Sequence, residues 1–238
     1  LVSNDSGKEI LVGGVDLFID RSGTFNNFTR YQMGEIGVHS DFHDIIVNPL
    51  DYNKVYFATD GGVFRSDNFG QTFYSCNDGL NNSQFYSASF SSDGLFAIGG
   101  LQDNRSAIYN HNLSWNSTHY GDGTASVIHP QNIEIILCSS QNLYLSRTTN
   151  RAKDWQTILV DDSAPFVTSL EMSKIDPNII FTGSNKLYRS LDNGLQFKII
   201  NEMPSHSMIN KIELSPNNIN ELLFSTLPTE NEIPKLYY

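Results

Sequence analysis

Ser190-Leu191-Asp192-Asn193-Gly194-Leu195-Gln196-Phe197, preceded by the strand-like Leu187-Tyr188-Arg189, is the stretch that decides the fold. Its sister is Ser66-Asp67-Asn68-Phe69-Gly70-Gln71-Thr72-Phe73, which follows Val63-Phe64-Arg65 and carries Asn68 in the place of Asp192. Degenerate copies run from Asp20-Arg21-Ser22-Gly23-Thr24-Phe25 to Phe28, and from Ser146 through Asn150 to Trp155, the latter read with a small insertion. Trp115 closes a unit that has lost the signature. With Phe28, Phe73, Trp115, Trp155 and Phe197 as markers, the spacings are 45, 42, 40 and 42 residues. Self-similarity at this length predicts an all-β chain, a β-propeller of four-stranded antiparallel blades, because one such unit cannot bury both of its faces alone.

Turn signals repeat in the same order within the units. In the second, Ile45 to Val47 ends a strand, Asn48-Pro49 turns, Val55 to Ala58 is the next strand, and Asp60-Gly61-Gly62 leads into Val63-Phe64-Arg65. The fifth repeats this with Asp176-Pro177, Ile179 to Phe181, Ser184-Asn185 and Leu187 to Arg189. The fourth does so with His129-Pro130, Ile135 to Leu137, Gln141-Asn142 and Leu143 to Leu145. The units read as approximately 1–31, 32–77, 78–119, 120–159, 160–200 and 201–238, together one propeller domain or a fragment of one. The last is partial, beginning at Ser215-Pro216 and reaching Leu222-Leu223-Phe224 before the pattern fails. A propeller needs a closed ring to hide its edge strands. The expectation is therefore a piece of a seven-bladed or larger assembly, with further blades or domains in the same polypeptide.

Composition narrows the partners. With 15 basic against 26 acidic residues the net charge is −11, which disfavours binding to nucleic acid or to an anionic membrane surface. No stretch approaches the roughly twenty apolar residues of a membrane helix. The chain opens Leu-Val-Ser without a Met, and no signal peptide is read there. An Asn-rich, turn-rich composition with 12% aromatic residues fits an extracellular or cell-surface protein. Cys76 and Cys138 lie in different units and are expected as two buried single thiols, a disulfide being the alternative. Neither a cofactor nor a metal is implied.

Strands in a blade run up and down, so the register assigns loops to faces. The Pro turn and the Ser-x-Asp/Asn-x-Gly loop share one face; the second-to-third turn and the link between blades share the other. The second face collects the unusual polar clusters: His39-Ser40-Asp41-Phe42-His43-Asp44, Asp60-Gly61-Gly62, Gln102-Asp103-Asn104 and Gly121-Asp122-Gly123. Ser184-Asn185 and Asp161-Asp162-Ser163, at equivalent places, read as ordinary turns. The candidate ligand-face residues are His39, Asp41, His43, Asp60, Gln84, Tyr86, Gln102, Asp103, Asn104 and Asp122.

Each cluster has two readings. Asp192 and its counterparts cap their own loop amides, as Asx residues in turns do, so Ser66, Asn68, Gly70, Phe73, Ser190, Asp192, Gly194 and Phe197 are expected to be structural. Asp60-Gly61-Gly62 is also what a two-residue hairpin turn requires. His39-x-Asp41-x-His43 alternates, so on an extended strand the three side chains share a side. That is a divalent metal site or a hydrogen-bonded His-Asp-His stack, and the stack is expected because no fourth ligand is evident. Gln102-Asp103-Asn104 is either a ligand contact or a polar plug, and Gly99-Gly100 before it signals a close backbone approach.

The eight-residue signature resembles the Asp box of sialidases, sortilin-type receptors and double-propeller xyloglucan-cleaving glucanases. More of the chain, roughly residues 7 to 200, resembles bacterial secreted sortilin-like or glycosyl-hydrolase-like repeat proteins frequent in Bacteroidetes. That likeness rests on Val38 to His43, Thr59 to Ser66, Gln84-Phe85-Tyr86, Gly99 to Asn104 and Gly121-Asp122-Gly123. It implies the propeller fold and a glycan or an extracellular protein as partner. A sialidase would need three ligand-face Arg and a Tyr nucleophile. Of the seven Arg, Arg65 and Arg189 repeat at one position and read as structural. The runner-up is a glycoside hydrolase, whose two acids, about 5 Å apart for retention or about 6.5–9.5 Å for inversion, would come from Asp41, Asp60, Asp103 and Asp122. Phe42, Phe85, Tyr86 and Tyr120 are candidates for sugar stacking. Sequons stand at Asn27-Phe28-Thr29, Asn112-Leu113-Ser114 and Asn116-Ser117-Thr118.

Overall fold

The computed structural model describes residues 1–4, 7–32, 35–80, 83–111, 115–204, 207–230 and 232–238; the second sequon, at Asn112, lies outside them. Among these residues the secondary structure is all β, in six antiparallel sheets whose strands are hydrogen-bonded in chain order. The chain divides into two compact units, Leu1–Asn82 and Ser83–Tyr238.

The first unit holds two sheets. Sheet 1 is β1 (Val2–Ser3), β2 (Ile10–Gly13), β3 (Leu17–Asp20) and β4 (Phe28–Tyr31), and sheet 2 is β5 (Phe42–Asn48), β6 (Asp51–Thr59), β7 (Gly62–Ser66) and β8 (Tyr74–Ser75). Leu11, Leu17 and Ile19 of the first pack against Val55, Phe57 and Phe64 of the second in one apolar core.

The second unit holds four. Sheet 3 is β9 (Phe85–Phe90), β10 (Phe96–Leu101), β11 (Ser106–Asn110) and β12 (Trp115–His119); sheet 4 is β13 (Gly123–Ile128), β14 (Ile136–Ser140), β15 (Tyr144–Thr148) and β16 (Gln156–Val160). Sheet 5 is β17 (Leu170–Met172), β18 (Ile180–Gly183), β19 (Lys186–Ser190) and β20 (Lys198–Glu202). Sheet 6 has three strands, β21 (Ile209–Leu214), β22 (Leu222–Thr226) and β23 (Leu236–Tyr237). Contrary to the sequence pattern, the chain does not wander after Phe224. It returns as β23, with the Tyr237 ring stacked on Phe224 at 4.8 Å.

Middle strands β10, β14 and β18 are buried along their whole length, whereas β20 is exposed throughout. Burial thus falls from the second strand of a sheet to its fourth, as in sheets that stack face to face with an open outer edge. The innermost strands are also tied to each other. Ser89 Oγ accepts the Ile128 N–H at 3.1 Å and Ser169 Oγ accepts that of Ile212 at 3.0 Å, joining sheet 3 to sheet 4 and sheet 5 to sheet 6.

The loops between third and fourth strands show why the signature recurs. Ser66 Oγ donates to Asn68 Oδ1 and accepts the Gly70 N–H at 2.8 Å, while Asn68 Oδ1 accepts the amides of Gln71 and Thr72. Ser190 and Asp192 repeat this net with Gly194, Leu195 and Gln196. In both loops two successive residues have positive φ, Phe69-Gly70 and Asn193-Gly194. Left-handed backbone is where glycine is favoured. At Gly194 a Cβ would also lie 2.5 Å from Leu137 Cδ2 of the preceding sheet, so that buried side chain would have to shift.

The fourth-unit loop differs from the sequence reading. Pairing places Thr148, not Ser146, opposite Ile136, as Ser190 stands opposite Ile180. The loop therefore runs Thr148-x-Asn150-x-Ala152-x-x-Trp155 with no insertion. Thr148 Oγ1 donates to Asn150 Oδ1 at 2.8 Å, and Arg151-Ala152 holds the left-handed pair.

Gly194→Ala should destabilise the second unit by about 2–4 kcal/mol, from left-handed strain plus the clash with Leu137. Ala152→Gly, at a left-handed residue that already carries a methyl, should change stability by less than about 1 kcal/mol. Urea unfolding of both variants checks this, and equal effects would refute the equivalence of the two loops.

Candidate functional site

Backbone hydrogen bonds between links and second-to-third turns place both at the same end of the sheets. Phe42 N–H reaches Gly14 O at 2.7 Å, Gln102 N–H reaches Gln84 O at 3.0 Å, and Ile209 N–H reaches Ser184 O at 2.7 Å.

In the first unit the sequence-predicted residues are His39, Asp41, His43 and Asp60. They do not lie on one extended strand: β5 begins only at Phe42, and Asp41 has φ +59. Asp41 instead ends the link, its N–H bonded to Val15 O at 2.9 Å. His43 sits at a register shift between Phe42 and Asp44, and its Nε2 meets the Asp60 carboxylate. His39 packs over Gly61, where any Cβ would collide with its side chain. Among the described residues no group of three or more His, Cys, Asp or Glu is arranged to hold a metal. The Asp60-Gly61 turn is further pinned by Asn77, which donates to Gly61 O and accepts the Val63 N–H, both at 2.8 Å. Gly62, with φ +103, has no room for a side chain beside that amide.

In the second unit Gln84, Tyr86, Gln102, Asp103, Asn104 and Asp122 come from three segments. Gln102 to Asn104 form the β10–β11 turn, closed by Leu101 N–H to Arg105 O at 2.9 Å and by Asn104 Nδ2 to Gln102 O at 3.1 Å. Asp103 and Arg105 both have positive φ. The expected close approach is present, since a Cβ on Gly100 would run into the backbone of Gly123 and one on Gly123 into Gly100 and Arg105. Gln84 is exposed. Asp122 enters from the β12–β13 link, its N–H held by Gln141 Oε1 at 2.8 Å.

Tyr86 joins them. Its ring meets Phe166 edge-on, and burial, with added repulsion from the charges of Asp122 and Asp103, raises the pKa of its phenol. Tyr120, 75% exposed, lies beneath the Arg105 guanidinium, 5.1 Å from its centroid. The arrangement supplies two carboxylates, a phenol and an aromatic face carrying a cation. Arg105 and Gln141 have no motif in the sequence. Their roles come from backbone geometry and from a turn two strands away.

Other polar groups of the turns are structural, Asp161 among them. Asp161, read from sequence as part of an ordinary turn, is a lock. Its Oδ2 accepts from Tyr188 Oη at 2.6 Å and Ser184 Oγ at 2.7 Å, with Lys186 Nζ at 3.9 Å. Burial opposes its charge, but the Tyr188 and Ser184 hydrogen bonds outweigh it and hold the carboxyl at about 2. Burial also pushes the Tyr188 phenol up, helped by the same carboxylate. Asp20, Asp93 and Asp192 are lowered too, each bonded to a serine hydroxyl and loop amides. Both cysteines are free; Cys138 is buried as expected, but Cys76 is exposed.

No protein-family model and no curated protein matches the chain. Solved structures do. A crystal structure of an ancestral GH74 enzyme matches at 20% identity and TM-score 0.52, over 78% of this chain and 27% of that one. YCF48 from Cyanidioschyzon merolae matches at 12% and 0.45, over 78% and 63%. The GH74 xyloglucanase from Xanthomonas campestris matches at 13% and 0.43, over 94% and 41%. The chain thus spans well under two thirds of the ancestral enzyme's length. The likeness to that enzyme, together with sheets of four sequential antiparallel strands, establishes a β-propeller fold.

Because the folded Asp161 carboxyl titrates below its ordinary value of 3.8, its stabilisation is full above pH about 4 and is lost as pH falls from about 4 towards about 2. Asp161→Asn should remove that component, flattening the fall in urea midpoint over this window. Parallel midpoint curves for the two proteins would refute the lock.

Proposed function

We propose that the chain is part of an extracellular or cell-surface β-propeller that acts as an interaction module. In this reading a glycan or an extracellular protein is held at the loop end where Tyr86, Asp103 and Asp122 meet. The observation that carries it is this convergence of three segments beside the exposed Tyr120–Arg105 pair. A binding surface needs fixed polar groups with aromatic area beside them. Here both turns are fixed, through the close backbone approach of Gly100 and Gly123 and through the Gln141 side chain. Secretion, the Asp-box assignment and membership of the sortilin-like bacterial repeat proteins rest on the sequence patterns alone, as do further blades in the polypeptide.

Glycoside hydrolysis is the second reading, because two carboxylates share one end of the second unit. The fold likeness to the ancestral GH74 enzyme transfers no catalytic residue.

Affinity electrophoresis in gels containing plant, algal and animal polysaccharides, with a reducing-sugar assay on the same panel, separates the readings. The expected result is retardation by at least one polysaccharide without sugar release. Asp103→Ala and Tyr86→Phe should each weaken it about five- to thirtyfold, the loss of one or two hydrogen bonds. Sugar release abolished by Asp103→Ala, Asp122→Ala or Asp60→Ala would replace the module with an enzyme.

A further inference from the structure

Along the outer strands of sheets 3 and 4 runs a groove of about 630 Å³. Its wall is aromatic: the His119 ring meets Trp155 edge-on at 5.2 Å and lies 6.4 Å from Tyr144. The wall is held in place. At the register shift in β12, Thr118 Oγ1 donates to Ala152 O at 2.9 Å and accepts from Trp155 Nε1 at 3.0 Å, and Thr157 Oγ1 donates to Tyr144 Oη at 3.0 Å. Tyr144 nonetheless leaves 43% of its surface open.

His119 lines the groove but is only 4% exposed and its Nδ1 is buried, so the ring serves as part of the wall between Trp155 and Tyr144. Burial lowers the ring's pKa. Around it stand the amides Gln141 and Asn142, with Asp154 and Asp162 against the single Lys153. An aromatic face among amides and hydroxyls matches a molecule with an apolar C–H face and a rim of hydroxyls. The excess of carboxylates excludes an anionic one.

We propose that this groove binds a neutral saccharide, one ring packed on the open face of Tyr144 and its hydroxyls bonded to Gln141 and Asn142. The groove's volume lies within the range of about 300–1,000 Å³ usual for small-molecule sites. This groove borders the loop cluster of Tyr86, Asp103 and Asp122, since Tyr120, Gly121 and Gln141 also line it, but its open ring is Tyr144 and it stands whether or not that cluster binds.

Trp115→Phe leaves Trp155 as the sole tryptophan, so its emission reports on the groove. The full chain with this substitution is titrated with cello-, xylo-, manno- and laminarihexaose, and with oligogalacturonate and oligoalginate as anionic probes. The expected result is a saturable change with at least one neutral hexaose. It should weaken at least about tenfold in Tyr144→Ala, persist in Tyr144→Phe, and exceed any response to the anionic probes. Where Tyr144→Ala lowers the melting temperature, Tyr144→Leu removes the ring while keeping an apolar side chain. The proposal is overturned by no response to any neutral hexaose at roughly 10 mM, a very weak affinity. A stronger response to an anionic probe also overturns it, as does binding lost in Tyr86→Phe or Asp103→Ala but kept in Tyr144→Ala.

Discussion

The hold of one sheet on the next loop is the constraint on which the rest depends. After the third strand, a buried hydroxyl turns the chain into two left-handed residues, and a carbonyl of that pair is taken by a donor from the preceding sheet. Arg21 reaches Phe69 O and Gly70 O, Thr118 reaches Ala152 O at 2.9 Å, and Arg147 Nε reaches Asn193 O at 2.8 Å. Left-handed backbone is unfavourable for an L-residue and persists only when its surroundings fix it. The loop's internal hydrogen bonds do so from one side and the neighbouring sheet does so from the other. Turn chemistry and sheet stacking are therefore one interaction, which explains why the hydroxyls that begin these loops, Ser66, Thr148 and Ser190, are almost fully buried.

That coupling decides how much was legible. The two full copies of the signature revealed fold, repeat length and strand order, because a hydroxyl, a carboxamide or carboxylate, and a glycine at fixed offsets describe a single hydrogen-bonded net. The copy ending at Trp155 was misaligned for a physical reason. Thr148 and Ala152 stand where the pattern calls for Ser and Gly, and Ala152 tolerates φ +63 because its methyl sits in the core with Phe96 and Ile98. Similarly, His39-x-Asp41-x-His43 alternates like a strand, but Asp41 adopts a left-handed conformation that side-chain spacing cannot express. The tail was missed because β23 comes ten residues after β22, with its pairing fixed by the stacking of Phe224 on Tyr237.

The loop end was legible as composition and not as geometry. Asp103, Asp122 and Tyr86 could be listed from the sequence, but that they share a locality depends on Gly100 and Gly123 meeting backbone to backbone, a contact between separate strands. The outer groove was less legible still. Trp155 was counted as a repeat marker and Tyr144 as a strand residue, each correctly, and neither assignment shows that the two rings and His119 line one cavity.

Several acidic and amide side chains of this chain serve the fold. Asp20, Asp93 and Asp192 cap loop amides, Asp161 locks a link to a turn, and Asn77 and Gln141 pin neighbouring turns. Structural duty does not meet every hydrogen bond: Asp20 Oδ2, Thr168 Oγ1, Asn193 Oδ1 and His119 Nδ1 are all buried without a partner among the described residues. What sets the outer groove apart is its wall, in which Thr118 holds the Trp155 ring and Thr157 the Tyr144 ring while 43% of Tyr144 stays open. A half-open ring fixed in orientation beside open space is what the proposed site rests on.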